Sequence, residues 1–274
     1  MDLSVVTTLY RSAPYLREFH ARIQAEAEQL ADSFEIILVN DDSPDTSRDI
    51  ALELCAEDDH VLFVDLTKNT GHQIAVMIGI GHTTGEKIVV MDCDLEDQPE
   101  WLHLLLAEQR RTNADVVYCV PQSEDKPLPY RLGARLFYAL HGWLYPYPGP
   151  RNQTMTRLIS KRFAAKLVQR EQAPLLMDCL CSALPHKQSS IVVERRHKGS
   201  TTYGICRKAS LFADLLLCTN RRIFRVLLFP YKLLFWRNFV PFSRMIRSVH
   251  ANQNTSIREK PLRRGGKRTL PHTH

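Results

Sequence analysis

The sequence predicts an α/β fold in which helices cover both faces of a mostly parallel sheet. Over the first 120 residues, five short apolar runs alternate with segments of helical periodicity, the order expected of parallel strands joined by helices. Polar turns follow the second, third and fourth runs. We expect all three turns at one edge of the sheet, where open α/β sheets bind their ligands.

Each strand is predicted from an apolar run that a polar turn ends, and each helix from apolar residues three or four positions apart. The first helix shows this spacing most clearly, at Leu16, Phe19, Ile23, Ala27 and Leu30. The predicted order is strand 3–8, helix 13–30, strand 34–39, helix 46–56, strand 61–66, helix 72–82, strand 88–91, helix 99–111 and strand 114–120. Further on, we predict helices from residue 130 and after residue 160, and a short strand at 190–193.

Length, charge and cysteine content limit the class of protein. With 274 residues, 44% of them hydrophobic, the chain can bury a sizeable core as one domain or as a domain with an appendage. The net charge of +6 is uneven, with Lys and Arg accumulating from Arg131 onward, which suits a phosphorylated ligand, a phospholipid surface or a nucleic acid. Seven cysteines without a C-x-x-C pair indicate reduced thiols in the cytosol. We expect neither a signal peptide nor a membrane-spanning helix, because no apolar run reaches about 20 residues.

Four carboxylates follow the fourth strand within six residues, at positions 92, 94, 96 and 97. Asp92 and Asp94 alternate, so a short turn can direct both side chains at one hard cation, which prefers oxygen ligands. A diphosphate held through a divalent metal is the natural partner of such a turn. The alternative is an acidic turn in which Asp97 caps the next helix.

The turns after the second and third strands carry groups that suit a nucleotide. Asp41 and Asp42 can accept hydrogen bonds from a nucleobase or a ribose. Asn69 offers an amide, and Gly71 allows close approach of the backbone at the start of a helix, whose N-terminus favours an anion. Each turn alone can be only a turn, but beside the acidic turn they together indicate a nucleotide site.

Four stretches, at residues 5–10, 39–45, 69–75 and 92–100, resemble the signature motifs of family 2 glycosyltransferases in the expected order. The last is also similar to the form found in dolichyl- and polyprenyl-phosphate sugar transferases. The resemblance covers residues 1–120. It implies a GT-A fold, a nucleotide-sugar donor, Mg²⁺ or Mn²⁺, and inversion at the anomeric carbon.

The resemblance also implies roles for individual residues. Asp41 would contact the nucleoside base. Asp92 would contact the ribose or base region and the metal, and Asp94 would bind the metal with its diphosphate. Thr8 and Tyr10 would line the nucleoside pocket.

Three departures from the family pattern leave the donor base and sugar open. Asn40 stands where the family often has Asp, and Asp42 stands where it often has Gly. Residues 7–11 replace a start of the P-x-Y-N-E type.

Arginines of the second half are predicted to bind phosphate, because guanidinium groups pair well with phosphate oxygens. Arg131 lies at the start of a segment rich in arginine and aromatic residues. Arg157 lies where residues 149–160 resemble the family's D-x-G-x-F-R-L-x-S-R stretch, without its first Asp. Either arginine is a candidate for an acceptor phosphate or the leaving diphosphate; the alternative is a solvated surface arginine.

Residues 194–203 resemble the family's R-x-x-G-x-S-x-Y segment, which closes over the donor diphosphate. By that match Arg196 and Lys198 would bind phosphate and neutralise the leaving group, and Tyr203 would help to order the loop. The alternative is a basic surface loop.

Asp178 is a lone carboxylate within an apolar helical pattern at residues 175–180. If the acceptor is a sugar hydroxyl, an inverting displacement needs a base, and apolar surroundings would raise the pKa of this carboxyl toward that task. A lipid phosphate is already anionic and needs no base. The alternative is an aspartate that points at solvent.

From residue 207 to 250, apolar patches alternate with basic residues, which predicts amphipathic helices at an anionic membrane surface. Packing on the catalytic domain, or on a second subunit of a homo-oligomer, is the alternative. We therefore divide the chain into a nucleotide-sugar-binding half at 1–120, an acceptor-binding half of the same domain at 121–206, these helices at 207–250, and a disordered basic tail at 251–274.

The sequence thus predicts an inverting, metal-dependent glycosyltransferase, peripheral on the inner face of the cell membrane, that transfers a sugar to a lipid-linked acceptor. A non-catalytic adaptor with the same fold is the alternative. Gly79, Gly81 and Gly85 do not form a dinucleotide fingerprint, because they end a helix and precede a strand. Nucleic-acid binding is not expected, because the basic residues are interleaved with aliphatic ones.

Overall fold

A mixed sheet of eight strands runs through the structure, a computed structural model that describes residues 1–122, 135, 138, 139, 141–169, 177–194 and 246–251. The strands are β1 (Leu3–Leu9), β2 (Phe34–Asn40), β3 (Val61–Leu66), β4 (Lys87–Val90), β5 (Val116–Pro121), β6 (Arg157–Ser160), β7 (Gln188–Val193) and β8 (Ile246–Ala251). The helices are α1 (Leu16–Leu30), α2 (Ser47–Glu57), α3 (His72–Gly81), α4 (Trp101–Thr112), α5 (Lys161–Val168) and α6 (Met177–Ala183). The strand order is β7-β5-β6-β4-β1-β2-β3-β8.

The parallel part of the sheet confirms the predicted fold class. β1 pairs in parallel with β2 and β4, β2 with β3, and β5 with β7. All nine elements predicted between residues 3 and 120 are present, with ends that shift by a few residues. Helices cover both faces, because the apolar residues of α1, α2 and α4 belong to one buried cluster and those of α3, α5 and α6 to another.

Two strands that the sequence analysis did not predict are both antiparallel. β6 has four residues and pairs with β4 and β5, and β8 pairs with the edge of β3. The prediction of helices through residue 250 and of a disordered tail from residue 251 is therefore wrong for Ile246–Ala251. This segment has no continuous apolar run that would predict a strand. It forms one because it pairs with β3, whose edge would otherwise be unpaired. The rest of both predictions, at 207–245 and 252–274, lies outside the described residues.

Two further predictions concern helices, namely the helix from residue 130 and the membrane-spanning helix that was not expected. Of the helix predicted from residue 130, the described residues 135, 138, 139 and 141–144 are helical. None of the described helices combines the length and the apolar character needed to cross a bilayer.

α3 approaches the sheet closely at Gly79. A Cβ atom at this position would lie 2.5 Å from Val6 Cγ1 and 2.9 Å from Val39 Cγ2, well inside van der Waals contact. A Cβ atom on Gly81, the last residue of the same helix, would meet no atom within 4 Å. The two glycines therefore form a matched pair with different surroundings.

We expect Gly79→Ala to lower the free energy of unfolding by about 1–3 kcal/mol, the usual effect of overpacking a core. Gly81→Ala is expected to leave it unchanged or to raise it by less than about 1 kcal/mol. Urea unfolding of both variants measures the difference. Equal stability of the two would contradict the close approach of α3 to β1 and β2.

Candidate active site

The carboxyl ends of β4, β1, β2 and β3 lie side by side, because these strands are adjacent and parallel. The turns that follow them carry most of the residues predicted to bind nucleotide and metal. The predicted residues that the structure brings to this edge are Thr8, Tyr10, Asp41, Asn69, Gly71, Asp92 and Asp94.

Asp41 fastens the turn after β2 to the loop after β3. Its Oδ1 accepts hydrogen bonds from the Thr70 backbone N–H at 2.6 Å and the Thr70 hydroxyl at 2.8 Å, and its Oδ2 accepts one from Gly71 N–H at 2.9 Å. Asn69 Nδ2 donates to the Asp41 backbone oxygen at 3.1 Å. Burial raises the pKa of Asp41, and the hydrogen bonds from Thr70 and Gly71 oppose that rise. Both carboxylate oxygens thus hold the loop, and the predicted contact with a nucleobase stays a prediction.

Positive φ angles shape these two turns. Gly71, the N-cap of α3, has a φ of 90°, and Asp42 has a φ of 51°. Non-glycine residues visit this region rarely, with Asp and Asn the best tolerated. The conformation of Asp42 explains why glycine suits this position of the motif and how an aspartate can replace it.

His72, the first residue of α3, lies between the ends of β1 and β4. Its Nδ1 lies 2.8 Å from Thr8 Oγ1, and its Nε2 lies 3.5 Å from Asp92 Oδ1. The sequence analysis did not name this residue. The available signal was its place within the motif at 69–75, at the start of a helix.

The carboxylates after β4 fall into two groups. Asp92, Asp94 and Glu96 are half-buried, whereas Asp97 is fully buried. Asp94 Oδ1 accepts a hydrogen bond from Glu96 N–H at 3.0 Å, and Leu95 has a φ of 63°. Asp97 therefore belongs to the interior, and Asp92 and Asp94, the pair predicted to bind a metal, are both accessible at the ligand-binding edge.

Asp92 and Asp94 fit a hard divalent cation, because accessible carboxylate oxygens are its preferred ligands. Within the described ranges, no group of three or more His, Cys, Asp or Glu side chains is placed to hold a metal ion. Mg²⁺ is commonly bound by one or two carboxylates together with substrate phosphates. The donor set therefore suits a cation that binds together with a diphosphate.

Asp45 organises the turn between β2 and α2. Its Oδ1 accepts hydrogen bonds from Ser43 Oγ at 2.6 Å, Ser47 Oγ at 2.5 Å and Ser47 N–H at 3.1 Å. Its Oδ2 accepts one from Ala13 N–H at 3.1 Å. Burial acts to raise the pKa of Asp45, but these hydrogen bonds outweigh it and lower the pKa to about 2.

A depressed pKa makes stability depend on pH in a defined direction. The contribution of Asp45 is present above its ordinary pKa of 3.8 and is lost as the pH falls toward about 2. We expect Asp45→Asn to lower the free energy of unfolding at neutral pH by about 1 kcal/mol, and the difference from the parent to shrink between pH 4 and pH 2. Urea unfolding across this range measures it, and a difference independent of pH would contradict the assignment.

Arg157 and Asp178 form an ion pair. Arg157 Nη1 lies 2.5 Å from Asp178 Oδ1, and the guanidinium also donates to Met155 O at 3.0 Å and Thr154 O at 3.1 Å. Its Cζ lies 5.3 Å from the centroid of the Tyr118 ring. The Arg157 side chain is 0% exposed and that of Asp178 is 44% exposed. Burial acts to lower the pKa of Arg157, but the nearby Asp178 charge raises it above its ordinary value.

This pair corrects two expectations about the surroundings of these residues. Arg157 is neither a solvated arginine nor exposed to a phosphate, because its guanidinium is enclosed in the core. Asp178 lies on a helix as predicted, but its partner is a guanidinium, so the expected apolar surroundings are not found. Local periodicity could not show this pairing, because it joins β6 to α6. The role of Asp178 as a base stays a prediction.

Four predicted site residues lie outside the part of the chain that the structure describes. They are Arg131, Arg196, Lys198 and Tyr203. Their contacts with phosphate or with the loop at 194–203 stay predictions.

The sheet order and the polar turns at its carboxyl edge define an α/β protein of the GT-A class. Among solved structures, glucosyl-3-phosphoglycerate synthase from Mycobacterium tuberculosis, in complex with Mn²⁺, uridine-diphosphate and glucosyl-3-phosphoglycerate, superposes with a TM-score of 0.54. That superposition covers 80% of this chain and 80% of the synthase chain, at 15% sequence identity. It shows the fold.

Sequence comparison identifies the family. The family model described as glycosyl transferase family 2 matches residues 4–175. A protein of Mycobacterium tuberculosis (strain CDC 1551 / Oshkosh) whose description names glycosyltransferases is 33% identical over 214 residues, 78% of this chain and 63% of that relative. The chain belongs to glycosyl transferase family 2, as its motifs predicted, and spans less than two thirds of that relative's length.

The name of one relative corresponds to the predicted branch of the family, the polyprenyl-phosphate sugar transferases. An undecaprenyl-phosphate 4-deoxy-4-formamido-L-arabinose transferase of Salmonella enteritidis PT4 (strain P125109) is 25% identical over 228 residues. The match covers 82% of this chain and 69% of the relative.

Proposed function

We propose that this chain catalyses inverting, metal-dependent transfer of a sugar from a nucleoside diphosphate to a lipid-linked acceptor. The proposal rests on one observation, that two structural features lie at the same edge of the sheet. These are the loop that Asp41 holds and the half-buried pair Asp92 and Asp94. Membership of glycosyl transferase family 2 supports the transfer of a sugar.

The donor nucleoside would lie over the ends of β1, β2 and β3. Tyr10 is 49% exposed, and Arg11 Cζ lies 5.8 Å from the centroid of the Tyr10 ring. This ring can therefore stack on a nucleobase, with the Arg11 guanidinium beside it. Asp41 keeps Asn69 and Gly71 at this edge, where the N-terminus of α3 favours the negative charge of a diphosphate.

Asp92 and Asp94 would hold Mg²⁺ or Mn²⁺ together with the donor diphosphate, and a structural neighbour is described in complex with Mn²⁺ and uridine-diphosphate. When bound, such a cation neutralises charge on the leaving diphosphate. The hydrogen bond from Glu96 N–H orients Asp94 within its turn. Arg196 and Lys198 would place positive charge beside the diphosphate, where negative charge develops as the sugar leaves it.

For the acceptor we propose polyprenyl phosphate first and a hydroxyl of a lipid-linked glycan second. The Salmonella relative is named as an undecaprenyl-phosphate sugar transferase. The basic and apolar segment at 207–245 would place the chain on the inner face of the cell membrane, whose anionic lipids attract basic residues. Asp178, at 44% exposure, would act as a base only if the acceptor is a hydroxyl.

The proposal is tested by offering the purified chain UDP-, GDP- and dTDP-sugars with either Mn²⁺ or EDTA. Undecaprenyl phosphate and the neutral alcohol undecaprenol, both in detergent, serve as matched acceptors. We expect transfer from one donor, in Mn²⁺ only, to the phosphate and not to the alcohol. A parallel reaction offers a lipid-linked glycan, and transfer to its hydroxyl but not to undecaprenyl phosphate selects the second acceptor. If no donor gives transfer or hydrolysis, the proposal is overturned and a non-catalytic adaptor is favoured.

A further inference from the structure

His72 lies between two residues of the proposed site that stand at the ends of different strands. Thr8 Oγ1, at the end of β1, lies 2.8 Å from its Nδ1, and Asp92 Oδ1, after β4, lies 3.5 Å from its Nε2. The side chain of His72 is 35% exposed and that of Asp92 is 29% exposed. Both therefore stand at the wall of the site and not in the core.

Nε2 of His72 has a hydrogen-bonding requirement that is not met. The atom is shielded from solvent and has no hydrogen-bond partner among the residues that the structure describes. When the Thr8 hydroxyl donates to Nδ1, the ring proton is on Nε2, and a shielded N–H without an acceptor costs about 1–3 kcal/mol. Asp92 Oδ1, at 3.5 Å, would become that acceptor after a small movement of the carboxylate.

The position of the imidazole is set by the same loop that Asp41 holds. His72 directly follows Gly71, whose N–H donates to Asp41 Oδ2 at 2.9 Å. The ring is thus attached to an element that is fixed from β2, while its two nitrogens face residues at the ends of β1 and β4. The His72 side chain is therefore placed to align the end of β1, the loop after β3 and the turn after β4.

We propose that His72 is a positioning residue of the nucleoside-diphosphate site, and that its Nε2–H fixes the Asp92 carboxylate when cation and diphosphate bind. The inference rests on the proposed function and deepens it. A ligating carboxylate is oriented by its own hydrogen-bond partner, and loss of such a partner lowers metal affinity or activity by about 10–100-fold.

Two substitutions separate the contacts of the ring. The amide of Asn lies near the position of Nδ1 and that of Gln can reach the position of Nε2, so His72→Asn keeps the Thr8 contact and His72→Gln keeps the Asp92 contact. His103→Asn, at an exposed position of α4, is the matched control. Calorimetry on the full chain measures the dissociation constants of UDP and GDP in Mn²⁺, and kinetics separates the donor KM from kcat.

We expect His72→Asn to weaken Mn²⁺-dependent binding of the nucleoside diphosphate by about 10–100-fold, with His72→Gln within about threefold of the parent. The effect should appear in the donor KM more than in kcat, and His103→Asn should behave as the parent. Urea unfolding midpoints close to that of the parent establish that the variants are folded.

Parent-like binding by His72→Asn would overturn the inference while leaving the proposed function intact. Equal weakening of both His72 variants would also overturn it, because it would indicate a general structural role. If the parent itself binds neither UDP nor GDP in Mn²⁺, the proposed function fails and the inference fails with it.

Discussion

Asp94→Asn is expected to reduce metal-dependent sugar transfer by about 10²–10³-fold, the usual effect of removing one group that stabilises developing charge. Asp94 is half-buried at the ligand-binding edge and is one of the two carboxylates proposed to hold the cation. The fold should survive, because the side-chain oxygen of Asn can still accept the 3.0 Å hydrogen bond from Glu96 N–H. Initial rates at saturating donor and Mn²⁺ measure the effect.

Glu96→Gln is the matched control for this variant, because it removes the same charge from the same turn. We expect it to transfer sugar at a rate close to that of the parent. A parent-like rate in Asp94→Asn, or equal losses in both variants, would contradict the assignment of the cation to Asp94.

Asp178→Ala is expected to lower the free energy of unfolding by about 3 kcal/mol, the lower end of the range for breaking a buried ion pair. Arg157 is 0% exposed and would keep an uncompensated charge in the core, while the 44% exposure of Asp178 lessens the effect. Met155 O and Thr154 O would still accept hydrogen bonds from the guanidinium but would not balance its charge. Urea unfolding at neutral pH measures the loss.

An exposed ion pair in the same chain provides the control. Lys161 and Glu86 are 52% and 66% exposed, so Glu86→Ala should leave the free energy of unfolding close to that of the parent. The double variant Arg157→Met/Asp178→Ala should be more stable than Asp178→Ala alone, because it removes the unpaired charge. Equal small losses in Glu86→Ala and Asp178→Ala would contradict the predicted contribution of the Arg157–Asp178 ion pair to stability.

The ion pair also determines how the role of Asp178 can be tested. A loss of transfer in Asp178→Ala has two sources, a missing base and a disturbed pair. Asp178→Asn removes the base and the charge of the pair but keeps an oxygen that can accept from Arg157, and the two acceptors then separate the two sources. If Asp178 takes a proton, this variant should lose transfer to a hydroxyl acceptor and retain transfer to a phosphate acceptor.

The first half of the fold could be predicted because its signals are local. Apolar runs that end in polar turns marked β1 to β4, and parallel pairing placed those turns at one edge. β6 and β8 could not be found in this way. β6 is four residues long, and β8 forms by pairing with a strand far away in the sequence.

The site shows the same division. Asp41, Asp92 and Asp94 follow strand ends, so their place at the edge could be predicted from the order of elements. The enclosure of Arg157 could not, because a charged residue in a sequence indicates exposure until its partner is known. His72 was missed for a related reason, since it lies beside residues that are far from it along the chain, Thr8 in β1 and Asp92 after β4.

Calorimetric titration of the folded chain with Mn²⁺ and UDP- or GDP-sugars, separately and together, tests the central claim most directly. Two carboxylates are too few ligands to retain the cation well by themselves, so we predict weak binding of Mn²⁺ alone and clearly tighter binding of one nucleotide sugar when Mn²⁺ is present. Uptake of nucleotide sugar that is the same with Mn²⁺ and with EDTA, or no uptake at all, would contradict a nucleotide-sugar site built on Asp92 and Asp94.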